Sequence, residues 1–152
     1  MKRQNRRIEA FTLIEIMAVV IIIGLLTGIV GTAIFQRVDQ GKMTATSAQI
    51  SNLESVLELY RMDNGRFPTT EQGLEALVNQ PSGDAAVRNY PPGGYLKGGR
   101  LPRDPWGESY HYEAPGQHNQ HSFDLWSTGS DGNQGGDGTD ADIGNWADER
   151  QS

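Results

Sequence analysis

Residues 11–35 form an apolar run of 25 residues interrupted by a single charge, Glu15. As a helix the run would extend roughly 37 Å at ~1.5 Å per residue, enough to cross a hydrocarbon core of about 30 Å. Lys2, Arg3, Arg6 and Arg7 precede it against one acid, Glu9, so residues 1–10 carry +3. Residues 11–152 hold the remaining 9 basic and 18 acidic residues, a balance of -9. That asymmetry predicts a cytoplasmic N-terminus and an acidic body on the far side of the membrane. The long run is followed by Gln36-Arg37-Val38-Asp39, without a small-x-small cleavage site, which favours a retained helix over a cleaved secretory signal. A chain of 152 residues leaves room for one small domain beyond the helix. Its acidic body argues against nucleic acid as the main partner. Without cysteine, disulfides, thiolate nucleophiles and thiolate zinc sites are excluded.

Glu15 is the anomaly in the run. A carboxylate in lipid costs several kcal/mol unless it is neutralised or paired, so it is a functional candidate by position. Its context is Glu9-Ala10-Phe11-Thr12-Leu13-Ile14-Glu15-Ile16-Met17 after a basic leader. This resembles the processing signature of type IV pilins and pseudopilins. The resemblance implies that prepilin peptidase cuts between Ala10 and Phe11 and methylates the new amine of Phe11. That amine is also costly in lipid, and the Glu15 carboxylate of a neighbouring subunit can neutralise it during filament growth. Ala10 stands where the family usually has glycine. Thr32 stands where many relatives have a helix-breaking proline, and Gly28 and Gly31 can loosen the helix there instead. Gly24-x-x-x-Gly28 also permits close helix approach.

Beyond the run, Ile50, Leu53, Leu57 and Tyr60 recur at helical spacing and predict one apolar stripe, ending at Asp63-Asn64-Gly65. One helix over 11–64 is therefore expected. Its residues 11–35 form a transmembrane or filament-core part, and 36–64 an amphipathic part. Thr69 and Gln72 predict a capping box for a short helix over 70–79, with Leu74, Leu77 and Val78 as core. Residues 81–100 read as loop anchored by Tyr90 and Tyr95, and Asp104-Pro105-Trp106-Gly107 as a turn. Residues 110–113 and 122–126 read as strands of a hairpin joined through Pro115-Gly116.

Residues 128–152 contain six acids (Asp131, Asp137, Asp140, Asp142, Asp148, Glu149) against Arg150, with five glycines between Gly129 and Gly138. Alone, such a loop should be disordered by self-repulsion. A hard cation with oxygen ligands would order it. Asp131-Gly132-Asn133-x-Gly135-Gly136 partly echoes an EF-hand loop, but lacks the acidic fifth position, the terminal Glu and the flanking helices.

The run from Tyr60 to Leu77, together with Asp104-Pro105-Trp106-Gly107 and Asp142-Ile143-Gly144-Asn145-Trp146, resembles the major pseudopilin family of type II secretion systems over nearly the whole mature chain. The resemblance implies an α+β, type IV pilin-like fold: a long N-terminal helix packed on a small antiparallel sheet, with a calcium-stabilised C-terminal loop over 128–146. It divides the chain into a leader (1–10), the two helix segments, and a periplasmic head (65–152). It implies a structural Ca²⁺ held by Asp131, Asp140 and Asp142 with the carbonyls of Thr128 and Asn133, leaving Asp137 unassigned. It implies no enzyme activity. The implied partners are further copies of the chain, minor pseudopilins, prepilin peptidase, an inner-membrane assembly platform and inner-membrane lipid. The implied filament is anchored in the inner membrane, with one pass and the head in the periplasm, and helps push folded exoproteins through an outer-membrane secretin.

His118-x-x-His121 reads as a turn rather than a metal pair, and no Gly-rich phosphate loop, His-Glu-x-x-His or Gly-x-Ser-x-Gly motif is present. Two alternatives stay open at this point. One is a type IV pilin or minor pseudopilin for adhesion, motility or initiation. The other is a signal-anchored, calcium-dependent binding module.

Overall fold

The computed structural model describes residues 12–84, 87 and 89–146, with the side chains of 28–36 outside that description. The chain divides into two units, Met1–Val38 and Asp39–Ser152. Helix α1 spans Leu13–Asn64, 52 residues, close to the expected bounds, and its helical backbone continues through Gly28, Gly31 and Thr32. In the first unit its large apolar residues from Leu13 to Leu26 all face outward, at 48% exposure or more. A helix apolar on every side needs lipid or protein around it. Among the described residues no helix is long and apolar enough to cross a membrane. Of the expected 11–35 span, only residues 12–27 have described side chains.

In the second unit α1 is amphipathic. Ile50, Leu53, Leu57 and Tyr60 are at most 2% exposed and form the helix side of the core. Burying each such side chain contributes roughly 1.5–3 kcal/mol, an upper estimate. Their three- and four-residue spacing is why this stripe is helical. The helix stops where Gly65 adopts φ +79°, its N–H bonding the Arg61 carbonyl at 2.7 Å.

Thr69 and Gln72 do form a reciprocal cap: the Thr69 N–H donates to the Gln72 side chain at 3.0 Å and the Gln72 N–H to the Thr69 hydroxyl at 3.2 Å. The expected helix over 70–79 nevertheless shrinks to a four-residue 3-10 helix, Leu74–Leu77. Gly73 at φ 57°, ψ -164° is the reason, because it turns the chain out of the helical region immediately after the cap. Leu74 and Leu77 are core and Val78 is half-buried. The Pro/Gly-rich segment over 81–100 is fixed to this turn by the Tyr95 N–H, bonded to the Leu77 carbonyl at 2.7 Å. Tyr95 packs against both Tyr60 and Tyr90, each at 5.3 Å between centroids.

The sheet has three antiparallel strands in the order β1 (His111–Glu113), β2 (Asp124–Ser127) and β3 (Ile143–Gly144). The registers pair His111 with Trp126 and Trp126 with Gly144. Leu125 is fully buried against α1's stripe, and Trp126 stands on the opposite face beside the His111 ring. The 104–107 segment is a turn closed by the Gly107 N–H on the Asp104 carbonyl at 3.0 Å.

Candidate functional site

Two regions carry the functional candidates, and each lies in its own unit. At the start of α1, Thr12 is the N-cap, its carbonyl accepting the Ile16 N–H at 3.3 Å. The Thr12 hydroxyl accepts the Glu15 N–H at 3.3 Å, and the Glu15 carboxylate reaches back to the Thr12 N–H at 3.5 Å. This is a capping box, and Thr-x-x-Glu was its sequence signal. It places the carboxylate at the positive end of the helix dipole, where negative charge is favoured. Glu15 remains exposed. Ala10 and Phe11, the processing candidates, lie outside the described residues.

The acidic loop leaves the end of β2 and returns into β3. Its two limbs are joined by the Ser130 N–H on the Thr139 carbonyl at 3.0 Å and by the Ser130 hydroxyl on Asp140. Asp142 closes a second contact: its N–H donates to the Gly135 carbonyl at 3.1 Å, and its Oδ2 accepts the Gly135 N–H at 3.0 Å. Asp131 accepts the Asn133 N–H at 3.0 Å in a local turn. Backbone bonding thus supplies order that charge counting alone did not anticipate.

These contacts do not gather the candidate ligands into one cluster. Among the described residues no three His, Asp or Glu side chains stand together as a metal site. Asp131 and Asn133 are exposed, Asp140 and Asp142 half-buried, and Thr128 buried. The donor set is all oxygen, the chemistry a hard cation requires. One atom of that set is left over: Asp142 Oδ1 is buried without a hydrogen-bond partner. A buried carboxylate oxygen left alone costs free energy that a cation would recover, so the set fits Ca²⁺ at this atom.

Next to the loop lies a polar network that pattern reading missed. Asp124, 2% exposed, accepts the backbone N–H groups of His118 (2.8 Å) and Asn119 (2.9 Å) and faces the His118 Nδ1 at 3.0 Å. Burial opposes its charge, but bonds from His118, Asn119 and Gln117 outweigh it and hold the carboxyl below the usual range. The His118 ring stacks on Trp146 at 4.0 Å between centroids, packing the turn against that side chain. Asn145 links the network to the helix: its amide donates to Glu54 at 3.2 Å, and its oxygen accepts the Leu125 N–H at 2.9 Å. No local sequence signal pairs Asp124 with His118. Only the fold brings the loop before β2 back over its first residue.

Comparison with known proteins bears on this arrangement directly. Residues 33–146 match the family model of type II secretion system (T2SS), protein G, and residues 5–31 match the prokaryotic N-terminal methylation motif. The chain belongs to the type II secretion system protein G family. Among its relatives is the type II secretion system core protein G of Pseudomonas aeruginosa, 48% identical over 94% of this chain and 98% of that one. That of Vibrio cholerae is 43% identical over 95% of each. The crystal structure of the major pseudopilin from the type 2 secretion system of enterohaemorrhagic Escherichia coli matches with a TM-score of 0.60 at 44% identity, covering 72% of this chain and 90% of that one. The pilin-like α+β fold expected from the sequence is therefore the fold of this protein G family member. It is a pseudopilin, a structural subunit of the type II secretion pseudopilus. Its methylation motif covers Ala10, Phe11 and Glu15.

Proposed function

We propose that the chain polymerises through its N-terminal helix into a periplasmic filament anchored in the inner membrane. That filament helps to push folded exoproteins through the outer-membrane secretin. Prepilin peptidase cuts between Ala10 and Phe11 on the cytoplasmic side and methylates the Phe11 amine. Further copies of the chain, minor pseudopilins, the assembly platform and inner-membrane lipid are its partners. It catalyses no reaction.

The observation that carries this reading is Glu15, an exposed carboxyl side chain at the mouth of a helix whose large apolar residues from Leu13 to Leu26 all face outward. Its 3.5 Å contact to the Thr12 N–H is long for a hydrogen bond, so the carboxylate is readily redirected to a cation. The Phe11 amine of a neighbouring subunit is that cation. Each charge is costly alone and tolerable as a pair, which makes subunit addition selective for register. Glu15→Leu strands the amine, at a cost of about 2.5–3.5 kcal/mol, equivalent to a loss of assembly on the order of 100-fold. Cross-linking of membrane-embedded subunits checks this. An undiminished multimer ladder in Glu15→Leu would overturn the pairing.

Calcium has a structural part in this reading. Asp131, Asp140 and Asp142, with the Thr128 and Asn133 carbonyls, would hold it, and the lone buried oxygen of Asp142 supports the assignment. Bound there, the ion supplies fixed positive charge that draws the loop's carboxylates onto the end of the sheet. The residues themselves join β2 to β3 and set the surface around Trp146.

A further inference from the structure

We infer that Asp104 and Ser127, neither of them a ligand, form a positioning pair that sets the first limb of the acidic loop for its cation. The inference rests on the calcium reading above. Asp104 is a carboxylate at 5% exposure, in a turn that sequence reading treated as a turn only. Its Oδ1 accepts the N–H groups of Trp106 (3.1 Å) and Glu108 (2.8 Å). Its Oδ2 accepts the Ser127 hydroxyl at 2.6 Å. A hydroxyl bound to a carboxylate at this distance makes a charge-assisted bond, about twice as strong as a neutral one.

Ser127 is fully buried at the end of β2, and its oxygen accepts the Gly129 N–H at 3.3 Å. The backbone is thereby held on both sides of Thr128, whose carbonyl is a candidate ligand. Gly129 passes the constraint on. It sits at φ +68°, and a Cβ there would meet the Thr139 carbonyl, Asp140 and the Ala141 carbonyl at 2.9 Å. Only a glycine lets the two limbs run this close, so fixing Gly129 fixes the segment that carries Asp140. The path runs from a charge in one turn, through one hydroxyl and one N–H, to both limbs of the ligand loop. Partners of this kind, one shell behind the ligands, hold ligand geometry and typically govern about 10–100-fold in metal affinity.

The test is calcium titration calorimetry on the full chain in detergent micelles, with thermal melts of the chelated form alongside. Ser127→Ala is expected to weaken Ca²⁺ binding about 10–100-fold. Leu57→Ala, a core truncation outside the candidate ligand loop and its hydrogen bonds, is expected to lower the melting temperature of the chelated form at least as much and leave Ca²⁺ affinity unchanged. Asp104→Asn keeps an acceptor for both N–H groups but swaps the charge-assisted bond for a neutral one from its amide to the Ser127 oxygen, so it is expected to lower affinity, though by less than Ser127→Ala; wild-type affinity in Asp104→Asn overturns Asp104's part in the pair. Wild-type affinity in Ser127→Ala, or an equal loss in Leu57→Ala, overturns the positioning role. If Ser127→Ala does not fold, Ser127→Cys takes its place, and its weak S–H donor is expected to lower affinity measurably; unchanged affinity there overturns the role equally. A wild-type chain that takes up no Ca²⁺ overturns the calcium reading itself, and this inference with it.

Discussion

Asp124 places a carboxylate where burial penalises its charge and then surrounds it with donors that more than restore it. Its folded pKa lies below the unfolded one, so the stability it contributes is present above the unfolded value of about 3.9 and is lost as pH falls through the folded value. Asp124→Asn should cost about 2 kcal/mol at pH 7 by unpairing the His118 contacts. The gap from wild type should close as pH falls below 4, a trend that denaturant melts at pH 7, 5 and 3 would measure. A gap constant across that range would show that charge is not what the site uses. Glu15 belongs to the same scale and was legible in the sequence, because one charge in an apolar run is conspicuous wherever the chain folds. Asp124 was not, since its meaning depends on His118 and Asn119 returning over it through a loop. The processing prediction is also a residue-scale one: the intact mass of the membrane-purified chain should start at N-methylated Phe11, and a mass starting at Met1 would overturn it.

Among the elements, α1 was legible because an unbroken apolar run marks its first half and 3.6-residue periodicity, a property of local sequence, marks its second. In its head half the two faces should respond in opposite ways. Leu57→Ala, at 0% exposure, should cost about 2–5 kcal/mol. Leu59→Ala, at 47% exposure two residues on, should change stability by less than about 0.5 kcal/mol. Equal losses in chemical denaturation would mean the stripe is wrongly placed. The shorter elements were harder to foresee for physical reasons. The 3-10 helix depends on one backbone conformation at Gly73. β3 is two residues long, one of them glycine, and exists only because β2 offers it an edge. Gly144 has no periodicity to betray it, yet a Cβ there would meet the Trp146 ring at 2.5 Å, so glycine is what lets that ring lie on the sheet.

For the whole molecule, the fold was legible through the family resemblance carried by the run from Tyr60 to Leu77, Asp104-Pro105-Trp106-Gly107 and Asp142-Ile143-Gly144-Asn145-Trp146, and the structural match agrees with it. The candidate ligand loop was legible as chemistry but not as geometry: acidic and glycine-rich composition names the donors, whereas the contacts of Ser130, Gly135 and Asp142 decide where they stand. If the loop takes Ca²⁺, the ion must favour the folded head over the unfolded chain. At about 100 times its dissociation constant it should add about 2.7 kcal/mol. Melting the full chain in micelles with calcium and then with chelator reads this directly, and an unchanged midpoint would exclude a structural ion.

The bond from Asn145 to Glu54 spans 91 positions of sequence. The helix is synthesised well before Asn145, so this clasp cannot form until the chain between its two ends has been made. A nascent chain has its apolar N-terminal segment exposed well before β3 exists to complete the sheet. Biosynthesis therefore imposes an order on this fold, helix before sheet closure, in which contacts far apart along the chain are the slow ones to form. The sheet's final strand also serves as a completion check. A product truncated before Ile143 lacks β3 and the Asn145 clasp, and so exposes the edge of β2 to proteases before it could join a filament.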